Sequence, residues 1–481
     1  MSERGISRKF GVVFFDDIND PQEGFSAVAG NDSSAVRISG VNELSTEVIW
    51  WTNISYESFY KRTEAWRSPW LRHDKYLVVS PRELLLEWGI DVNTVGADYA
   101  AKLCAEGFDR VMRIAFKLVT DLEPHARMED IFQGKFLRED LRRLLPELEY
   151  PKGDAAAVIK SGNAWQEFTR TAVPGMRGGR WVMLRKPRMS YAHEMFNTPI
   201  PKGPFEFYGR ADMRSVARDK NTWVIENDNP CIAEITINRL DGTIAPIYGF
   251  GNSTDKDKRV ARSWVSHPEL VVMNKFAEID VKSVYMGDEY DLLSVNLPES
   301  VKDFLTDKFA EVSWSAGVIA ETLWRAVALA EDKTQAEGGD RAHTSWQGAW
   351  LKGADKANMF LSAMQLTELG YSVMSYGLGW LRVASLDEDI PDLIRDALTL
   401  GLIPQIYDVT PVDENTPLLF HPSSPIPWGG DKQSMAIAQF TATASRELLW
   451  DLDKLLLTNR KKRKSAYVIM MQNHQKRIKS L

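Results

Sequence analysis

Residues 354–409 read ADKANMFLSAMQLTELGYSVMSYGLGWLRVASLDEDIPDLIRDALTLGLIPQIYDV. From 354 to 369, Met359, Phe360, Ala363, Met364 and Leu366 recur at the spacing of one helix face. Two short apolar runs, 371–376 and 380–385, flank Gly377-Leu378-Gly379, where the glycines permit a tight reversal. The following segment carries Pro391 in its first turn and Gly401 after its end. That asymmetry marks a helix, because proline lacks a donor the first turn does not need and glycine accepts the left-handed residue that ends it. A strand at 402–409 completes the order helix, strand, strand, helix, strand.

This order predicts a ferredoxin-like α/β layer and sets the fold class as α+β. At roughly 100–200 residues per domain, 481 residues imply two or three domains. A mixed N-terminal domain is expected over 1–160, with strands at 10–18 (FGVVFFDDI), 47–54 and 76–80, helices at 81–90 and 98–120, and a charged helix pair at 128–150. A strand-rich central domain is expected over 161–335. Its segments 205–216, 222–227, 231–240 and 243–250 alternate apolar and polar residues, and Asp241-Gly242 is a two-residue hairpin signal. A helix follows at 300–332, then a polar loop at 332–345. The third domain, 336–481, holds the α/β layer and then amphipathic helices, with Ile437, Phe440, Leu448, Leu452 and Leu455 on one face of 434–458.

Composition excludes several classes. Cys104 and Cys231 are the two cysteines, so neither a disulfide framework nor a Cys-built zinc site is possible, and free thiols fit a reducing, cytoplasmic compartment. The start MSERGISRKF lacks the apolar core of a signal peptide. No run approaches the ~18 apolar residues of a membrane span. The seven histidines include no pair at HxH or HxxxH spacing. No P-loop, Gly-rich dinucleotide fingerprint or nucleophile elbow occurs.

Charge is distributed unevenly. The chain carries 59 Lys+Arg against 66 Asp+Glu, for a net −7. From Lys454 onward nine cations (Lys454, Arg460, Lys461, Lys462, Arg463, Lys464, Lys476, Arg477, Lys479) face no acid. Between 160 and 190, Lys160, Arg170, Arg177, Arg180, Arg185, Lys186 and Arg188 face Glu167 alone. Cation clusters on an otherwise acidic chain attract polyanions through counterion release. In the run TAVPGMRGGRWVMLRKPRMSY, 171–191, glycines let backbone approach a phosphate chain, while arginines and Trp181 offer planes for stacking. Tyr191 and His193 would extend that groove. The tail also carries Tyr467–Met471 as an apolar face, which would suit acidic lipid as a competing polyanion.

Three stretches resemble known catalytic patterns. Residues 207–230, FYGRADMRSVARDKNTWVIENDNP, resemble the PD-(D/E)xK nucleases. The resemblance implies that Asp212 and Glu226, with Glu234, hold Mg²⁺ and activate water for phosphodiester attack. Asp228 stands where that pattern has its lysine, so Lys220 or Lys186 would have to reach in. Asp16-Asp17 after FGVVFF resembles the opening of an RNase H-like site, with Pro81 where a later strand would supply the matching acid. The hairpin YSVMSYGLGWLRVAS resembles a polymerase palm hairpin, but its turn has glycines where nucleotidyl transfer needs paired aspartates.

The expected function is therefore a nucleic-acid-binding component of a larger assembly, DNA or RNA, with other protein subunits as partners and no cofactor. Its expected contacts are Arg177, Arg180, Trp181, Arg185, Lys186, Arg188 and the tail residues Arg460, Lys461, Lys462, Arg463 and Lys464. The alternatives are a Mg²⁺-dependent nuclease and a structural assembly subunit. Deleting 459–481 should leave the unfolding free energy, read from urea denaturation, within about 0.5 kcal/mol of wild type, since most of what is lost is polar. Filter binding should show weaker affinity for polyanions and a shallower salt slope.

Overall fold

Every residue from Phe10 to Phe15 is buried, so this strand must be covered on both faces. The computed structural model describes residues 9–17, 21–30, 35–54, 71–72, 81, 84–85, 95–122, 145–155, 168–169, 180–241, 262–306, 314–332 and 343–411. Strand β1 (Lys9–Phe15) is the centre of a five-stranded sheet completed by β2 (Gly24–Val28), β3 (Val36–Ile38), β4 (Val48–Thr52) and β5 (Leu71–Arg72), in the order β3-β2-β1-β4-β5. β2 runs antiparallel to β1, and β4 parallel to it. Because side chains alternate across a strand, Phe10, Val12 and Phe14 join one cluster while Val13 and Phe15 join another with Ile38, Val48, Trp50 and Ile54. Helix α1 (Ala97–Leu122) covers the first face through Ala100, Leu103, Cys104, Phe108, Val111 and Met112.

After β6 (Phe168–Thr169), strand β7 (Arg180–Arg185) leads through Lys186-Pro187-Arg188 into α2 (Ser190–Asn197) and β8 (Pro199–Tyr208). The chain then turns helical: α3 (Arg210–Val216) and α4 (Lys220–Ile225) occupy the stretches expected as strands. Local capping decides this. The Asp212 carboxylate accepts from Gly209 N–H at 2.9 Å, and Asp219 accepts from Asn221 and Thr222 N–H at 3.0 and 3.3 Å. These bonds satisfy donors that helix starts leave open, and apolar–polar alternation does not reveal them. Strand β9 (Cys231–Leu240), β10 (Arg262–Ser266), helix α5 (His267–Met273) and the long β11 (Ala277–Leu292) follow. They form an antiparallel sheet with order β10-β9-β11-β8. The hairpin partner expected at 243–250 lies outside the described residues.

The helix expected over 300–332 is present as α6 (Glu299–Leu305) and α7 (Trp314–Ala328). A two-residue ladder, β12 (Glu331–Asp332) with β13 (His343–Thr344), flanks the polar loop. Helix α8 (Trp346–Glu368) starts eight residues before the expected 354, because Ser345 Oγ accepts from Gly348 N–H at 2.9 Å and caps it. Then come β14 (Ser372–Gly377), β15 (Trp380–Ser385), α9 (Ile390–Thr399) and β16 (Ile403–Pro411). Both helices end in a glycine at positive φ, Gly370 at +95° and Gly401 at +76°. In each the following N–H reaches back into the last turn, Tyr371 to Leu366 O and Leu402 to Ala397 O, both at 2.9 Å.

The third sheet has order β16-β7-β15-β14-β6, antiparallel throughout. Counting β7, β14, β15 and β16 as first to fourth, the spatial order is fourth, first, third, second. A strand from mid-chain is thus central to the layer read from 354–409. Helix α8 ties the molecule together: Trp350 and Leu351 join the N-terminal core, Phe360, Ala363 and Leu366 join the core under the second and third sheets, and Trp346 and Ala349 join a smaller cluster. Most positions from Trp346 to Ala357 are buried, Gln347, Asp355 and Lys356 among them, while Asn358, Gln365 and Glu368 are exposed. Phe360 is fully buried and touches Phe276 and Tyr376. Phe360→Ala should lower the unfolding free energy by about 3–5 kcal/mol, read from urea denaturation.

Candidate functional site: a buried charge cluster at the hairpin turn

The end of β7 meets the β14–β15 turn. Lys186 N–H donates to Gly379 O at 2.8 Å. Gly379 has φ +69°, and a Cβ there would lie 2.2 Å from the Tyr191 hydroxyl, so both conformation and space require glycine. The Lys186 side chain turns inward. Its Nζ donates to Asp355 Oδ1 on α8 at 2.7 Å and to Glu194 Oε1 on α2. It stands 4.1 Å from the Tyr191 ring centroid and 5.4 Å from that of Trp324 on α7. Asp355 Oδ2 accepts from Gly379 N–H at 2.7 Å, closing a loop through turn, helix and strand.

A second knot lies alongside. Glu321 on α7 is fully buried and accepts from Arg188 Nη1, from Arg325 Nε at 2.8 Å and from Arg185 Nη2 at 3.4 Å. Tyr191 and Trp324 pack between the two knots, their rings 4.9 Å apart. Four cations thus share three carboxylates.

Electrostatics follow from burial and pairing. Burial would push the Glu321 carboxyl up, but Arg188, Arg325 and Arg185 hold it down at about 2. Burial disfavours the Lys186 ammonium, yet Asp355 and Glu194 overcome that and raise it. Burial raises the Glu194 carboxyl against the pull of Lys186, and pushes the Tyr191 phenol up to about 12.

The sequence expectations fare differently. The sequence predicts a phosphate-tracking surface at Arg185, Lys186 and Arg188, but Lys186 and Arg188 are buried and all three are bound to internal carboxylates. Their charge holds elements together because burying a cation without a partner would cost far more than pairing it. Tyr191 is buried, while His193 is exposed and lies beside Asn197. Arg180 and Trp181 open β7, in register with Ser385 and Ala384. Arg177, Lys160, the helix expected at 434–458 and Arg460, Lys461, Lys462, Arg463 and Lys464 lie outside the described residues.

The proposed nuclease acids do not converge. Asp212 caps α3, Glu226 is exposed at the end of α4, and Glu234 is buried on β9, accepting from Ser283 Oγ at 2.6 Å. Among the described residues no group of three or more His, Cys, Asp or Glu could hold a metal. At the end of β1, Asp16 is gripped by Arg37, whose Nη1 and Nη2 lie 3.1 and 2.5 Å from its two oxygens. Arg37 also binds Glu23 at 2.7 Å. The strand expected at 76–80 lies outside the described residues, and the neighbouring parallel strand β4 leads into Asn53 and not into an acid. Asn53 instead clamps Phe15, accepting from its N–H at 2.8 Å and donating to its carbonyl at 2.9 Å.

Sequence reasoning missed Glu321, Asp355 and Glu194. A signal existed for Glu321: it is a lone acid in SAGVIAETLW, a helix segment otherwise almost free of charge.

No family model matches the chain, and no curated protein matches it. Solved structures of Phi29 DNA polymerase bear a weak likeness to the chain. The complex with primer-template DNA and incoming nucleotide gives a TM-score of 0.41, and the complex with single-stranded DNA 0.42. In each case identity is 11%, over 81% of this chain and 82% of that one. A likeness of this size assigns neither family nor chemistry.

Glu321 makes a testable contribution to acid stability. Its folded pKa lies below the ordinary carboxylate value, so its stabilisation is complete above pH ~4.5 and lost as pH falls toward about 2. Glu321→Gln should lower the unfolding free energy at pH 7 by about 3–5 kcal/mol, because three guanidiniums lose their counter-charge. Urea midpoints taken from pH 7 to pH 2 should fall less steeply in the variant than in wild type.

Proposed function

We propose that this protein binds nucleic acid through its backbone phosphates and does so without cutting or extending it. The observation that carries the reading is the segregation of charge: nine cations from Lys454 onward face no acid on a chain whose net charge is −7. Such a run repels itself and is poorly accounted for by the modest helix-end benefit of about 0.3–1 kcal/mol. Phosphate contact accounts for it. In the central segment, contact with the backbone falls to Arg177, Arg180 and Trp181, since Arg185, Lys186 and Arg188 are engaged internally.

The absence of catalysis rests on the hairpin. We read β7, α8, β14, β15, α9 and β16 as a ferredoxin-like layer whose turn, Gly377-Leu378-Gly379, stands where a polymerase palm would carry paired aspartates. The Lys186 ammonium stands beside that turn, bound to Asp355 and Glu194, and a fixed cation there opposes the binding of Mg²⁺. A place in a larger nucleoprotein assembly, beside other protein subunits, completes the reading.

Anisotropy titrations with single- and double-stranded DNA and RNA test it. Affinity should fall steeply between about 50 and 200 mM salt. Replacing Arg177, Arg180 and Arg460–Lys464 by Ala should lessen the salt slope by about one for each phosphate contact removed. Labelled strands incubated with Mg²⁺ or Mn²⁺ and nucleotides should keep their length. Absence of binding to all four nucleic acids at low salt overturns the binding reading; cleavage or extension overturns the non-catalytic one.

A further inference from the structure

The Lys186 ammonium sits among groups that would suit a divalent cation. Asp355 Oδ1 and Glu194 Oε1 converge on one Nζ, so the two oxygens are no more than about 5 Å apart, a gap that a hydrated ion of the Mg²⁺ class closes with small adjustment. Asp355 is fully buried, and its second oxygen is fixed by Gly379 N–H at 2.7 Å. That hydrogen bond orients the carboxylate whether or not the lysine is present. The ligands come from two helices, α2 and α8, and the faces of Tyr191 and Trp324 close the remaining sides.

We propose that Lys186 is a built-in cation filling a latent divalent-cation site, and that Glu194 and Asp355 take up Mg²⁺ or Mn²⁺ when its side chain is removed. A fully buried carboxylate and a partly buried one facing one point repel each other and need a positive charge between them. In the native protein the ammonium supplies it, so folding is independent of metal at this point and no metal-activated water forms beside the turn. Truncation to alanine removes three carbons of lysine together with the ammonium and leaves room for an ion with its waters. An ion of the Mg²⁺ class is commonly held by one or two carboxylates with water completing its octahedron, which matches a site with two carboxylates. This inference uses none of the residues assigned to phosphate contact, so it stands or falls independently of nucleic-acid binding.

Thermal melts of wild type, Lys186→Ala and Lys186→Ala/Asp355→Asn, each in EDTA, MgCl₂ or MnCl₂, test the proposal, with Mn²⁺ binding counted by electron paramagnetic resonance. Wild type should melt at the same temperature in all three solutions. Lys186→Ala should melt lower in EDTA and recover with a shift that grows with the logarithm of Mn²⁺ concentration. It should bind one Mn²⁺ more than wild type, and the double variant should lose both the recovery and the extra ion. If Lys186→Ala does not fold on expression, dilution from urea should yield folded protein with Mn²⁺ and none with EDTA. A Mn²⁺ shift in Lys186→Ala no larger than in wild type or the double variant overturns the proposal, as does failure to refold in Mn²⁺.

Discussion

The contact between Lys186 and Asp355 fixes the relation of more elements than any apolar pair could. One charge sits at the end of β7 and the other in the middle of α8, and both are bound to the turn between β14 and β15. Burying either charge alone would be prohibitive, so the three elements assemble together or not at all. Hydrophobic burial is non-directional and would tolerate a strand sliding by two residues. A carboxylate gripped by an ammonium on one oxygen and a backbone N–H on the other does not tolerate it. The register of β7 against β15 is thereby set from inside the core as well as by the ladder.

Glu321 repeats the principle on a neighbouring helix. Three arginines from β7, the following loop and α7 converge on it. Tyr191 and Trp324 separate the two knots and lower the local dielectric, which strengthens every pairing there. Basic residues that give the central segment its phosphate-seeking composition therefore act largely as internal fasteners. Guanidinium suits this role because its planar fork keeps several donors in fixed directions around one carboxylate.

The two five-stranded sheets share a second theme. In each, the C-terminal end of an interior strand is braced by a cation paired with two acids. In the N-terminal sheet Arg37 holds Asp16 and Glu23, and Asn53 spends its amide on the backbone of Phe15. In the third sheet Lys186 holds Glu194 and Asp355. At both places protein cations have taken the carboxylates, and the strands are braced there.

Much of the architecture was legible in the sequence because it depends on local rules. The period of apolar residues located β1, α1 and β15 to within a few residues, and Pro391 with Gly401 bounded α9, since backbone dihedrals and missing donors act within one turn of chain. Where a side chain bonded its own backbone instead, as Asp212 and Asp219 do, alternation misled and two helices replaced the expected strands. The functional residues were harder to place. Sequence located every arginine and lysine between 177 and 188 but could not say which faced solvent. That depends on Glu321 and Asp355, more than 130 positions away, arriving from helices whose positions the whole core decides. Composition is additive along a chain and can be read one residue at a time. Pairing of buried charges is a property of three-dimensional proximity, and only the tertiary structure settles it.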